Sequence, residues 1–318
     1  MSMKADKTRV KNTVFLGVFL ALLGGLLMTG MDVTAKILTE TYPAGEIGLA
    51  RNWFALPILA GIFFIEAWWR KRNKIRDGKT PSPLTWRLKS WKIALVRGVL
   101  IAIAQFLFFM SLAHLPLATV ASIFYVAPAF ITILSVLIFK ESVGVWRWNA
   151  VVIGFVGVLL INRPGTDVFS IWTLLPVITA LCYAISLTIV RVVDIEDSNA
   201  LFTFYTVLCS GFVSILWILI DFEAPIAADF PLFVLLGVFG SFGAYALNWG
   251  FRLASPSVIA PFEYLTLIFA FVVGWVIWRE LPETYMWPGI FLILASGVVI
   301  LIREEILRRR ENAKPSKS

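Results

Sequence analysis

Apolar residues come in long blocks along this chain, and that blocking restricts the fold more than any other feature. Crossing a bilayer as a helix takes about 20 predominantly apolar residues. Ten segments meet this requirement, at roughly 14–38, 45–67, 92–113, 116–139, 146–162, 171–193, 199–220, 232–254, 257–278 and 286–303. Of the 318 residues, 59% are hydrophobic and 15% charged, against about 25% charged in a soluble domain. No single water-soluble core can hold such a chain. The expected fold is an all-α polytopic membrane protein with ten transmembrane helices. Pro43, Pro116, Pro231, Pro256 and Pro288 fall at or near span starts, where a missing N–H costs least. The first block, from Val14, exceeds a signal-peptide core and lacks a small-residue cleavage site, so it counts as a span.

The net charge of +8 resembles a nucleic-acid signal until the positions are read. With ten spans, both termini lie on one side, together with the 68–91 connection. That side holds 23 of the 28 Lys and Arg residues, and the other holds Arg163 and Arg279. Lys36, Arg51 and Arg97 lie within spans. Under the positive-inside rule the termini are cytoplasmic. The cations orient helices, and no nucleic-acid partner is expected. Cys182 and Cys209 lie inside apolar runs and form neither a disulfide framework nor a metal motif.

The chain also repeats itself. PLATVASIFYVAPAFITILSVLIFKE, from Pro116 to Glu141, returns as SPSVIAPFEYLTLIFAFVVGWVIWRE, from Ser255 to Glu280. A constant shift carries Ala121 onto Ala260, Tyr125 onto Tyr264, Phe130 onto Phe269, Lys140-Glu141 onto Arg279-Glu280 and Trp148 onto Trp287. Apolar matches are cheap between membrane spans; a Tyr, a cation–Glu pair and a Trp are not. The reading is an N-terminal tail at 1–13, a first five-helix repeat at 14–162, a second at 163–303 and a basic tail at 304–318. Five spans is an odd number, so the second repeat enters the membrane inverted. Inverted repeats hold a substrate path at their interface and rock about it.

Several stretches give this pattern a family likeness. They are Asp32-Val33-Thr34-Ala35-Lys36, Ala50-Arg51-Asn52-Trp53, Arg97-Gly98, Pro128, Lys140-Glu141, Ala260-Pro261-Phe262-Glu263-Tyr264 and Glu280-Leu281-Pro282. The chain resembles the EamA family of the drug/metabolite transporter superfamily along about its whole length. That resemblance implies a ten-helix carrier of the bacterial inner membrane. The family includes riboflavin and S-adenosylmethionine importers and various metabolite exporters, so it implies a small-molecule substrate without naming one. One departure stands out: Leu267 occupies the place of Pro128, which makes any hinge at that proline one-sided.

Ionisable and polar groups inside spans are costly, and so they are informative. Asp32 and Lys36 share a face of span 1, and Arg51 enters span 2 at similar depth. They form either a substrate-contacting polar cluster or a staple, through Asp32–Arg51 or Asp32–Lys36. Glu66 and Arg97 read as an interfacial pair or as snorkelling side chains. Glu263 lies about 9 Å inside span 9, and its repeat mate is Phe124. Asn248, on span 8, reaches a similar depth, and Arg252, one turn further, is the candidate structural partner of Glu263. A desolvated carboxylate there suits substrate binding or proton coupling. Tyr125, Tyr264, Tyr183, Tyr245, Trp53 and Trp249 are aromatics that can stack on a planar solute or simply pack. Gln105, in mid-span 3, needs a partner or a wet cavity. The Gly24-Gly25, Gly154–Gly157 and Gly237–Gly240 faces suit close helix approach.

The resulting expectation is a secondary carrier of a small organic metabolite, in the manner of the riboflavin and S-adenosylmethionine importers, or an exporter of amino acids or other metabolites. A non-transporting assembly or sensor protein is the alternative of another class. No cofactor and no metal is expected. An enzyme fits least, because His114 sits in a turn with no nucleophile–base constellation and there is no GxxxxGK[ST] run. Lipid is the expected surroundings, and the sequence leaves the oligomeric state open.

Overall fold

A computed structural model describes residues 2–76, 86–140, 145–163, 170–190, 193, 197–219, 221–253 and 256–312. Within these, the side chains of 2–14, 256–265, 303–312 and scattered single positions are not described. The described residues form helices α1 (Ser2–Leu38), α2 (Ala44–Arg76), α3 (Trp91–Leu112), α4 (Leu117–Phe124), α5 (Ala127–Phe139), α6 (Val145–Asn162), α7 (Ile171–Val190), α8 (Asn199–Ile218), α9 (Phe230–Leu253), α10 (Pro256–Trp278) and α11 (Trp287–Asn312). Short 3₁₀ turns at Ala227–Asp229 and Thr284–Met286 lead into α9 and α11. No described residue is in a strand.

Among the described residues, seven stretches are long and apolar enough to cross a membrane, including one over Leu117–Ile138 that takes in both α4 and α5. Shorter apolar stretches lie in α6, α10 and α11, at Val151–Ile161, Ile268–Trp278 and Thr284–Ser296. The molecule is an all-helical, polytopic membrane protein.

Span 4, read from the sequence as one helix, is two. Proline has no N–H to give the carbonyl four residues back, and for Pro128 that residue is Phe124, where α4 ends. Tyr125 leaves the helical region at φ −66°, ψ 3°. Helix α10, with Leu267 in the matching place, runs on unbroken. The two helices nevertheless end alike. Lys140 after α5 and Arg279 after α10 are repeat mates, and both take a left-handed conformation, at φ 54° and 58°. This is the usual way of closing a helix C-terminus, although glycine is the usual residue for it. It turns Glu280 back over the end of α10, with the Arg279 and Glu280 N–H groups donating to Trp275 and Gly274 at 3.1 and 3.4 Å.

Packing follows an exchange pattern. Helix α1 packs on α9 and α10, and α7 packs on α3 and on the α4–α5 pair. The α2–α9 contact has its counterpart in α8–α3, while α2 with α8 and α6 with α11 pair across the halves. Glycines permit the closest of these approaches. A Cβ at Gly24 would lie 2.7 Å from the Leu247 nitrogen, and one at Gly157 would lie 2.7 Å from the Gly289 carbonyl oxygen. Four apolar cores form among the described residues, two of them small clusters between α2, α3 and α8 and two larger. One of the larger pair, around Ala35, Ile47, Phe109 and Phe233, joins α1, α2, α3 and α9. The other, around Ile123, Ile161, Ala180 and Ile293, joins α4, α6, α7 and α11.

Candidate functional site

Two buried polar clusters interrupt this apolar packing, near opposite ends of the bundle. The distal end is where α1 finishes and α2 begins; the proximal end is where α3 begins.

The distal cluster centres on Arg51, which lies about 10 Å along α2 and is 3% exposed. Its Nη1 donates to Asn52 Oδ1 at 2.9 Å, and its Nε lies 3.5 Å from Met31 Sδ on α1. The Gln105 amide of α3 turns its oxygen to the guanidinium and accepts from Nε at 3.2 Å and Nη1 at 2.5 Å. The opposite orientation would set amide N–H groups against a cation. Asn52 is fully buried and donates Nδ2 to Ser210 at 3.0 Å and Ser214 at 3.3 Å, both on α8. Gly240 of α9 leaves room for the arginine, since a Cβ there would come within 2.8 Å of Nε. Asp32, on α1, attracts the guanidinium electrostatically.

The proximal cluster centres on Arg97, about 9 Å along α3 and 6% exposed. Its Nε donates to Ser186 Oγ of α7 at 3.1 Å, and its Nη2 donates to Asn248 Oδ1 of α9 at 3.2 Å. Asn248 Nδ2 donates in turn to Thr203 Oγ1 of α8 at 3.1 Å. The Phe202 ring lies 5.4 Å from the guanidinium carbon. Arg97 and Gln105 are both on α3, about 12 Å apart along its axis, so one helix carries a residue of each cluster.

Tyr125, at the break after α4, places its hydroxyl 2.5 Å from Thr266 Oγ1 on α10. Thr266 also fills the space left by Gly25 of α1. Beside them Phe124 packs on Tyr183, with ring centres 5.1 Å apart. At the distal end the halves are tied directly. The Lys36 ammonium pairs with the Glu280 carboxylate and donates to the Leu115 carbonyl at 3.3 Å, over the Trp278 ring at 5.0 Å. Tyr42 donates to Asp229 at 2.7 Å and accepts from the Ile226 N–H at 3.0 Å.

Several residues read from the sequence therefore come together, though not all as expected. Arg51 and Gln105 share the distal cluster, with Asp32 alongside. The hydrogen bonds of Arg51 go to amides and not to Asp32, and Lys36 reaches Glu280 and not Asp32. Arg97 does not snorkel: it is buried, while the Glu66 carboxylate accepts from Ser198 and from the Ala200 N–H at the start of α8. Asn248 belongs with Arg97. Trp53 and Trp249 join neither cluster; they are 43% and 40% exposed and pack edge-on against Phe212 and Tyr245. The Glu263, Tyr264 and Arg252 side chains lie outside the described residues. Sequence reading missed Asn52, Ser210 and Ser214. The serines sit one turn apart on an apolar helix, a spacing that marks a polar stripe.

The same sequence family accounts for both halves of the chain: residues 15–163 and residues 170–302 each match the EamA-like transporter family. The chain belongs to that family. It is 30% identical over 220 residues to a riboflavin transporter of Rhizobium johnstonii, covering 69% of this chain and 72% of the relative. It is 24% identical over 213 residues to an S-adenosylmethionine uptake transporter of Rickettsia prowazekii, covering 67% and 72%. A solved structure described only as "Crystal structure of protein" superposes with a TM-score of 0.54 at 15% identity, covering 94% of this EamA-family chain and 99% of the other; that likeness concerns the fold.

Proposed function

We propose that this EamA-family protein is a secondary carrier that moves a small, aromatic, cofactor-like metabolite such as riboflavin or S-adenosylmethionine across the bacterial cytoplasmic membrane. It has no catalytic role in this reading. Two inverted five-helix repeats rock against each other, with both termini and the 68–91 connection in the cytoplasm. The observation that carries the reading is the pair of buried arginine clusters, each built by helices of both halves. Burying a guanidinium in a bilayer is costly, and two polar stations at different depths suit a solute that passes between them. The family membership and the names of the two relatives support the substrate class. Glu263 serves as the substrate-binding or proton-coupling carboxylate in the middle of α10, near Asn248 and Tyr264.

Purified protein in proteoliposomes, offered radiolabelled riboflavin and S-adenosylmethionine from either side, tests this. Saturable, protein-dependent movement of one of them is expected. No movement of either, in either direction and with or without a pH gradient, overturns the substrate proposal. No movement across a broad metabolite panel overturns the carrier reading.

A further inference from the structure

We propose that the groove between α3 and α8 at the proximal end is a binding site for one anionic phospholipid. The proposal is independent of what the protein carries.

The groove encloses about 900 Å³. Its walls are Leu95 of α3 and Leu208, Phe212 and Val213 of α8, with Arg87 and Lys89 at the mouth. Leu95 and Phe212 are 48% and 56% exposed, so the walls are open to the bilayer. The floor is closed where the two helices touch. A Cβ at Gly98 would lie 2.5 Å from the Cys209 Cβ, and the Cys209 thiol donates to the Leu95 carbonyl at 3.4 Å.

Length fits one leaflet. On α8 the lining runs from Tyr205 to Val213, about 12 Å at 1.5 Å per residue, within the about 15 Å of half the hydrocarbon core. A cleft that begins at the headgroup level and runs that deep accepts an acyl chain along its length. The charge fits too. Arg87 and Lys89 stand where a lipid phosphate would lie, and Lys92 follows one turn later beside Trp91, 5.7 Å from its ring. Basic residues at the mouth of a cleft between helices select anionic headgroups. The backbone carrying them is held in place. Asp197 accepts from the Lys89 and Ser90 N–H groups, each at 3.0 Å, and the Tyr205 hydroxyl donates to the Trp86 carbonyl at 3.0 Å. Asp197 is 5% exposed, so its charge is spent on the backbone and not presented to a headgroup. Apolar walls of this depth give free phosphate nothing to bind, and so the occupant is a whole lipid.

Native mass spectrometry of the purified, delipidated protein provides the test, with palmitoyl-oleoyl phosphatidylglycerol and the matching phosphatidylcholine titrated in parallel. Wild type is expected to retain one phosphatidylglycerol with about tenfold preference, the size expected of one or two cations near an anionic headgroup. The Arg87→Ala/Lys89→Ala double variant, altered at exposed positions, is expected to lose the preference. Leu208→Trp, which fills the cleft, is expected to lose retention of both lipids. Equal retention of the two lipids by wild type, or an undiminished preference in the double variant, overturns the proposal. So does displacement of the lipid by millimolar inorganic phosphate, which would make the site one for the free anion.

Discussion

Lys36 on α1 and Glu280 just beyond α10 stand 244 positions apart in the chain, yet their charged groups meet in an ion pair that ties the two halves together at the distal end. The pair is partly exposed, with Lys36 buried and Glu280 at 40% side-chain exposure. Its Coulombic contribution to stability is therefore small, which suits a contact made and broken in a working cycle. The Lys36 and Glu280 side chains meet at their tips, so two cysteines in their places call for a spacer and not a direct disulfide. The Lys36→Cys/Glu280→Cys variant is expected to be bridged by a short bifunctional methanethiosulfonate, read as the added mass of the linker. If transport requires the distal end to open, the cross-link stops it and a reducing agent restores it. Full transport by the cross-linked protein would show that this end does not open there.

Arg51 joins α2 to α3 through amide acceptors and reaches α1 through the Met31 sulfur. Arg51→Ala strands those acceptors in an apolar interior, at a cost of about 1–3 kcal/mol. The apparent midpoint of thermal unfolding in detergent should fall by several degrees. Arg51→Lys should recover only part of the loss, because an ammonium cannot reproduce the planar fork. Equal midpoints for wild type and the Ala variant would deny the cluster its structural weight.

Gly157 and Gly61 make a matched contrast. A side chain at Gly157 meets the Gly289 carbonyl oxygen at 2.7 Å, whereas one at Gly61 meets nothing within 4 Å. Gly157→Val is expected to abolish a monodisperse peak in size-exclusion chromatography, and Gly61→Ala is expected to leave it unchanged.

Pro128 separates α4 from α5, and Pro128→Ala restores the missing N–H donor. We expect the variant to fold, to bind substrate with unchanged affinity and to turn over more slowly, as a hinge lost would dictate. Thermal-shift titration and initial-rate transport separate the two quantities. Unchanged turnover would assign the break to packing.

Glu263→Gln keeps shape and hydrogen bonding while removing charge. A role in proton coupling predicts intact substrate exchange with loss of pH-driven accumulation; a role in binding predicts loss of both. Wild-type accumulation in this variant would remove Glu263 from the site.

The spans were legible because long apolar blocks are the direct signature of bilayer solvation. The matched ends at Lys140 and Arg279 were legible because a cation–Glu pair does not recur by composition. The break at Tyr125 could be anticipated from Pro128 only as a possible hinge, since proline within a helix is compatible with a kink as well as an interruption; Pro57 and Pro176 lie inside the continuous α2 and α7. Polar partners were the least legible part. Asp32 offered a pair to Arg51 or to Lys36 one turn away, but a lysine near a helix end extends outward along it, and Lys36 reaches Glu280. The partners of Arg97, Ser186 and Asn248, are 89 and 151 residues away. Only tertiary packing brings them to it, and nothing local announces that choice.

Helix α4–α5 is broken where its repeat mate α10 is continuous. A perfectly symmetric duplicate would face either side of the membrane with equal ease, and its forward and reverse journeys would be mirror images. One interrupted arm removes that equivalence. Thermodynamics still fixes the ratio of forward to reverse flux at a given gradient, but the height of each intermediate barrier is free to differ, because reciprocity binds equilibria and not rates. Such a protein can be a quick importer and a sluggish exporter, or the converse, without any energy source of its own. A rectifying bias of this kind would appear as unequal half-saturation concentrations when the same solute is offered first outside and then inside the vesicle.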